Sequence, residues 1–357
     1  MVLAGSAAAS EWAALKADPA LAALRLFAHT RPEACVNGGA PLAIAFSGGA
    51  DSTALLLAAL HLWGPQRLHA LHVHHGLQTD ADRFAEHARS LCAAWGVQCS
   101  VLRVQIPALR GESLEDAARE ARYAALSKAA GELGLRWLLL GHQADDQAET
   151  LLLALLRGAG PKGLAGMPEV ASRAGLWLGR PLLSCAADAL RHMLDAQGVP
   201  YVHDAMNHDP AFRRSRIRHE LLPVIARLEP SWRATLARAA SLCAQASTGI
   251  EELAQQDLAL CEGSEGLRLV ALRSLPEARL SEVLRMWLRQ SGVRSSHGQV
   301  LNLLRQVRAT ARGALALQVR LEPCTIERCG PWLTLRAGGC APPGRGLHDE
   351  QKGNGCL

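Results

Sequence analysis

Lysine is nearly missing from this chain: 4 of its 357 residues are lysine, against 34 arginines. The 10 cysteines include no C-x-x-C pair, the nearest neighbours being Cys324/Cys329 and Cys92/Cys99. That scatter excludes a zinc knuckle or a disulfide framework and fits reduced thiols in a cytoplasmic protein. No uncharged apolar run of about 18 residues occurs, so no membrane span is expected. A basic leading segment is also missing. Met1 to Cys35 is alanine-rich, contains Glu11 and Asp18, and reads as a solvated amphipathic helix rather than a signal peptide. No internal repeat is found.

What is present suits a globular chain of two domains or a little more. Apolar residues make up 49% of the chain, enough for real cores. Residues 231–338 hold 14 arginines, no lysine and 9 acidic residues, which accounts for the whole net charge of +5. Arginine suits phosphate and base-edge contacts, so a basic C-terminal region is consistent with a nucleic-acid partner.

The sharpest local signal is LAIAFSGGADSTALLLAAL, Leu42 to Leu60. A short apolar strand ends in Ser47-Gly48-Gly49-Ala50-Asp51-Ser52 and restarts as an apolar helix. Two glycines permit a sharp turn. The helix N-terminus beyond it offers free N–H groups and a positive dipole end to an anion. The loop lacks the lysine of a Walker A sequence and does not fit G-x-G-x-x-G. An aspartate beside such a nest fits a metal-bound leaving group, because Mg²⁺ favours carboxylate and phosphate oxygens. The stretch resembles the PP-loop of ATP pyrophosphatases, which cut ATP between the α- and β-phosphates.

Strands are expected at Arg67 to Leu77, Val97 to Ile106 and Arg136 to His142, with a strong helix at Glu112 to Leu133. The alternation predicts an α/β fold with a doubly wound parallel sheet, followed by a mainly helical domain. Ligands in such sheets sit at the strands' C-terminal ends, where Ser47–Ser52, His72–Gly76 and Gly141–Glu149 all fall. Asp145, Asp146 and Glu149 open one helix, and their spacing puts Glu149 on the face of both aspartates. Metal or amine binding suits such a cluster. A linking helix is expected from Ser215 to Leu228, then helices, then strands at ALALQVRLE and CTIERCGPWLTLR. The expected divisions are an N-terminal extension 1–36, an ATP-binding domain 37–214, a linker and RNA-binding domain 215–338, and a disordered tail 339–357.

The blocks SGGADSTALL, HVHHGL, ESLEDAAREARY, GHQADDQAETLLLALLRGAGPKGLAGM, RPLL and DAMNHDPAFRRSRIRHELLP occur in the order seen in tRNA(Ile)-lysidine synthetases. By this resemblance the chain is similar to that family over about residues 41–225, and more loosely to Arg336. The resemblance implies an ATP-dependent ligation. Cytidine 34 of a CAU anticodon in tRNA(Ile) is adenylated at O2, and the amine of free L-lysine then attacks C2 to give lysidine. It implies that Ser47, Gly48, Gly49, Ala50, Asp51 and Ser52 hold the pyrophosphate part of ATP. His72 and His75 would lie near adenine and ribose, and Asp146 and Glu149 would hold the lysine. Asp51, Asp146 and Glu149 are the implied catalytic set, and Asp51 and Asp145 the implied Mg²⁺ ligands. Arg119, Arg122 and Arg157 would face ATP or the intermediate, and Arg214, Arg216 and Arg218 the RNA. Met206, Ser215 and Ala159 depart from the family's usual residues. Longer members carry a second C-terminal domain, and here the pattern reads as one. The implied setting is cytoplasmic, without a membrane, and admits a homodimer. The rivals are a PP-loop tRNA thiolase, which usually needs paired cysteines or an iron–sulfur site, and a small-molecule amidating ligase. The latter has no obvious need of an arginine-rich helical domain.

Overall fold

The computed structural model describes residues 18–31, 41–74, 81–105, 114–202, 213–310, 317–322 and 324–337. His75, the DAMNHD block and the 339–357 tail lie outside the described residues. The chain divides into two compact units, Met1–Ala244 and Gln245–Leu357.

The first unit is built on a six-stranded sheet. Its strands are β1 (Leu42–Ala45), β2 (Leu68–His74), β3 (Gln98–Arg103), β4 (Trp137–Leu139), β5 (Val170–Arg173) and β6 (Leu176–Gly179). Their order is β3-β2-β1-β4-β6-β5. All neighbours pair in parallel except β5 with β6. The central strand is apolar because helices cover both faces. Leu42, Ala43 and Ile44 are buried, and Ala43 lies opposite His69 on one side and Leu138 on the other.

Helices α1 (Pro19–Thr30), α2 (Ala50–Trp63), α3 (Ala81–Ala94), α4 (Leu114–Glu132), α5 (Ala144–Leu156) and α6 (Ala187–Ala196) complete the layers. Helix α2 is buried along Ser52–Ala59. Helix α1 corrects the expectation of a solvated N-terminal helix. Asp18 caps it by accepting from the Leu21 N–H at 2.8 Å, and Ala20, Leu24 and Phe27 are buried in the main core. The acidic residues Glu11 and Asp18 pointed to a solvated helix, yet leucine and phenylalanine at helical spacing give it a core stripe. The β5–β6 hairpin was not expected. It turns at Ala174 and Gly175, both with positive φ.

The linking segment is helical, as expected, but not uniform. It runs as α-helix at Arg213–Arg216, π-helix at Ile217–Leu221 and α-helix at Leu222–Leu228. It packs on α5 through a small cluster of Ala148, Leu152, Ile217, Leu222 and Trp232.

Helix α7 (Trp232–Cys261) contains the division between the units. The second unit continues with β7 (Leu267–Arg268), α8 (Leu269–Ser274), α9 (Glu277–Gln290), α10 (His297–Ala309), β8 (Gln318–Leu321), β9 (Cys324–Cys329) and β10 (Trp332–Ala337). The strands form an antiparallel sheet in the order β7-β10-β9-β8. CTIERCGPWLTLR, expected as one strand, folds as the β9–β10 hairpin, because Gly330 takes φ 58° at the turn. Leu258, Leu280, Leu284, Leu303, Ile326 and Leu333 form its core. Among the described residues no helix is long and apolar enough to cross a membrane.

Candidate active site

The glycine loop closes on itself through its own polar groups. The Ser47 N–H donates to Ser52 Oγ at 3.2 Å, and Ser52 Oγ donates to the Gly49 carbonyl at 3.0 Å. The two serine hydroxyls lie 3.0 Å apart. Gly48 adopts φ 83°, a region where a side chain is strained, and its carbonyl accepts from the Val202 N–H at 2.8 Å. Gly49 caps α2 without a side-chain hydrogen bond, so the first turn of the helix presents uncapped N–H groups. This is a nest suited to an anion.

A cavity of about 200 Å³ opens beside the loop at the C-terminal ends of β1, β2 and β4. Ser47, Asp51, Ser52, Leu71, Val73, Arg122, Tyr123 and His142 are among its lining residues. Its lining combines aliphatic side chains with the serines, Asp51 and Arg122. Within it Asp51 Oδ1 is buried without a hydrogen-bond partner. Burial, then the charge of Asp146, push the Asp51 pKa up to about 7. A buried carboxylate oxygen left unsatisfied is costly, so the site fits a cation brought to Asp51. Among the described residues no cluster of three or more His, Cys, Asp or Glu is disposed to hold a metal. Phosphate oxygens would therefore supply the remaining ligands of a bound Mg²⁺.

Helix α5 carries the carboxylates. Gln143 caps it, its side chain accepting from the Asp146 N–H at 3.3 Å while Asp146 Oδ2 accepts from the Gln143 N–H at 3.3 Å. Gln147 holds the GLAGM block to the same helix. Its amide donates to the Met167 carbonyl at 3.0 Å, and its oxygen accepts from the Met167 N–H at 2.8 Å. Strand β4 brings this helix against the loop. A Cβ added at Gly141 would stand 3.0 Å from the backbone of Asp51 and Ser52, tighter than ordinary van der Waals contact, so glycine eases the approach.

All three carboxylates meet arginines. Arg233 binds Asp145 with both arms, at 2.6 and 3.0 Å. Asp145 is thereby taken up by a guanidinium rather than left open to a metal. Glu149 is fully buried and accepts from Arg218 Nε at 2.6 Å and Nη2 at 3.0 Å. Arg214 Nε stands 3.1 Å from Oε2, the oxygen that Arg218 Nη2 also reaches, and Arg218 also reaches Asp146 at 3.5 Å. Burial raises the Glu149 pKa while Arg218 opposes the rise. Burial works against the charge of Arg218, but its bond to Glu149 together with the charges of Glu149, Asp146 and Asp51 outweighs that and raises its pKa.

The remaining expected residues divide. Arg122 lines the cavity, and Arg119, Arg122 and Arg173 stand 5.1, 6.0 and 4.5 Å from the ring centre of Tyr123. His72 does not line the cavity. Side chains alternate along a strand, so Leu71 and Val73 face it, while His72 Nδ1 lies 2.9 Å from the Phe46 carbonyl. Arg157 caps the far end of α5, eleven residues beyond Asp146 and thus about 16 Å away along the axis. Arg216 is exposed and pairs with Glu220 at 3.3 Å. His142 was not singled out from the sequence. Its Nδ1 is buried without a partner. Burial and then the charges of Arg180, Arg119, Arg122 and Arg214 hold its pKa at about 3, so the ring is neutral at physiological pH. Its place directly after Gly141, where a strand runs into a carboxylate helix, was the available signal.

Residues 24–225 match the family model of a PP-loop domain, and residues 267–328 that of a TilS substrate binding domain. The chain is 44% identical over 313 residues to a tRNA(Ile)-lysidine synthase of Polaromonas naphthalenivorans, covering 88% of this chain and 94% of that one. It is 41% identical to that of Chromobacterium violaceum, over 80% of this chain and 66% of the relative. With that of Ralstonia nicotianae the identity is 40%, over 88% and 68%.

Proposed function

The chain belongs to the tRNA(Ile)-lysidine synthase family, and from that premise we propose that it joins free L-lysine to C2 of cytidine 34 in the CAU anticodon of tRNA(Ile). ATP adenylates the cytosine O2 with release of pyrophosphate, and lysine displaces AMP. One observation carries the reading at this site: an uncapped glycine nest at the start of α2 lies in backbone contact with Gly141, directly before the helix bearing Asp146 and Glu149. An anion site and a cation site are thereby held side by side, as a nucleotide and an amine require.

Ser47, Gly48, Gly49 and the first turn of α2 hold the pyrophosphate portion. Arg122, which lines the cavity, faces the phosphates, with Arg119 beside it on α4. Asp51 would hold Mg²⁺ together with phosphate oxygens, and a bound Mg²⁺ would offset charge on the departing pyrophosphate. Asp146 and Glu149 receive the amine. Free lysine carries an ammonium of pKa about 10.4 and must lose a proton before attack, and a carboxylate near the reacting carbon can accept it. Adenylation makes O2 a good leaving group. An anticodon base can be splayed from its stack to reach such a cavity. On this reading the protein works in the cytoplasm, beside its tRNA substrate.

The test uses purified protein, ATP, Mg²⁺, labelled lysine and a tRNA(Ile) transcript with a CAU anticodon. Stable label in the RNA, lost when cytidine 34 becomes uridine, is the expected result. Pyrophosphate release without label would point to a thiolase. No pyrophosphate with any tRNA would point to a small-molecule ligase. Glu149→Ala is expected to weaken lysine use more than ATP binding, and equal loss of both would remove the amine-site assignment.

A further inference from the structure

The carboxylates read above as the amine site are already in the grip of another cation. Glu149 is fully buried, and Arg218 meets both its oxygens, at 2.6 and 3.0 Å. Arg214 stands against Glu149 at 3.1 Å and donates to Thr150 Oγ1 at 2.8 Å. Arg218 also lies 3.5 Å from Asp146. A carboxylate has a limited set of lone pairs, so two guanidiniums and a lysine ammonium compete for the same atoms. The competition is asymmetric. The Glu149 side chain has no exposed surface, whereas 32% of Arg218 and 27% of Arg214 is exposed. An anion arriving from solvent can reach the arginines but not the glutamate.

The segment that carries Arg218 is suited to rearrangement. Ile217–Leu221 is a π-helical turn, a rare conformation that is frequent at functional sites. The segment is seated on α5 by a small cluster separate from the main core, and such a unit can reorder without opening the sheet.

Resting on the lysine-ligating reading above, we propose that Arg218, assisted by Arg214, is a built-in occupant of the amine site that RNA phosphate draws off. Lysine and the arginines alternate on Glu149 and Asp146, and tRNA binding shifts the balance toward lysine. A phosphate offers a guanidinium the same bidentate geometry as a carboxylate. Once Arg218 turns to phosphate, a buried unpaired Glu149 is strongly unfavourable, and the lysine ammonium restores the pairing. The coupling is reciprocal, so lysine also tightens the hold on RNA. The amine is thereby admitted when the base it attacks is present.

A site free about a tenth of the time binds its ligand about tenfold more weakly than the open site. Equilibrium dialysis of labelled L-lysine against the full chain, without ATP so that no turnover occurs, reads this directly. With the CAU tRNA transcript, lysine is expected to bind about tenfold more tightly than without RNA. Arg218→Gln, checked for folding by circular dichroism, is expected to bind lysine about tenfold more tightly than wild type without RNA and to lose most of the RNA effect. Equal lysine affinity with and without tRNA in the wild type would overturn the proposal, and that comparison needs no variant to fold. A folded Arg218→Gln that binds lysine more weakly than wild type would also overturn it and make Arg218 a fixed positioning group. If wild type labels cytidine 34 yet shows no coupling, only this proposal fails. If it labels no RNA at all, the lysine-ligating reading fails first.

Discussion

An Asp51→Asn substitution exchanges a carboxylate for an amide of the same shape where burial and Asp146 raise the pKa from 3.8 to about 7. With the folded pKa raised, the native state binds the proton more tightly than the unfolded chain. The contribution to stability is fully present below about pH 3.8 and is lost as pH rises through 7. At about 1.36 kcal/mol per tenfold change, wild type forgoes ~1.5 kcal/mol by pH 5 and ~4 kcal/mol by pH 8, order-of-magnitude figures for one group. Asparagine does not ionise and avoids that loss. Any fixed cost of seating the amide is the same at both pH values, so the diagnostic is the difference, about 2–3 kcal/mol in favour of the variant on going from pH 5 to pH 8. Calorimetric unfolding of both proteins at the two pH values, without nucleotide or Mg²⁺, measures it. A gap between variant and wild type that stays constant or shrinks with rising pH would refute a carboxylate whose ionisation burial opposes. The same variant should fail to label tRNA, since the group that destabilises the free protein is the one read as serving the phosphates.

Gly141→Ala would push a methyl against the backbone of Asp51 and Ser52 at 3.0 Å. A fall in stability of about 1–3 kcal/mol, with a larger loss of ATP-dependent labelling than of RNA binding, is expected from unfolding and filter-binding assays. His142→Asn removes a ring whose pKa is lowered to about 3. The unfolded chain binds that proton more tightly, so wild-type stability rises with pH from about 3 to 6.5. The variant's stability should rise less over the same range, as urea midpoints at pH 4.5 and 7 will show. In the second unit, Asp257 is buried and Arg279 Nε donates to it at 2.7 Å. Arg279→Gln leaves that carboxylate without its cation, and hydrogen exchange should speed up in α9 and α10 while the sheet of the first unit stays protected.

The glycine loop and the parallel strands around it were legible because their signals are local. An apolar run, two glycines and a helix start sit within a dozen residues of Leu42, and the carboxylates of α5 share one helical face. What answers those carboxylates was not legible. Arg218 and Arg233 lie 69 and 88 residues from their partners, and no periodicity announces a pairing at that range. The π-helical turn has no sequence signature of its own. The β5–β6 hairpin escaped because Ala174 takes φ 49°, a conformation for which alanine gives no cue. The resemblance implied a place near adenine and ribose for His72, whereas strand alternation turns its ring to the Phe46 carbonyl and leaves Leu71 and Val73 on the cavity.

Gly141 has a consequence for how this family member can change. The gap between the phosphate loop and the carboxylate helix is set by main chain resting on main chain, like two blocks machined to touch. A side chain at Gly141 itself asks that joint to give by a few tenths of an ångström. The α4 wall, where Arg122 and Tyr123 line the cavity, is free of that restriction, and side chains there can change what the site accepts without touching the close approach.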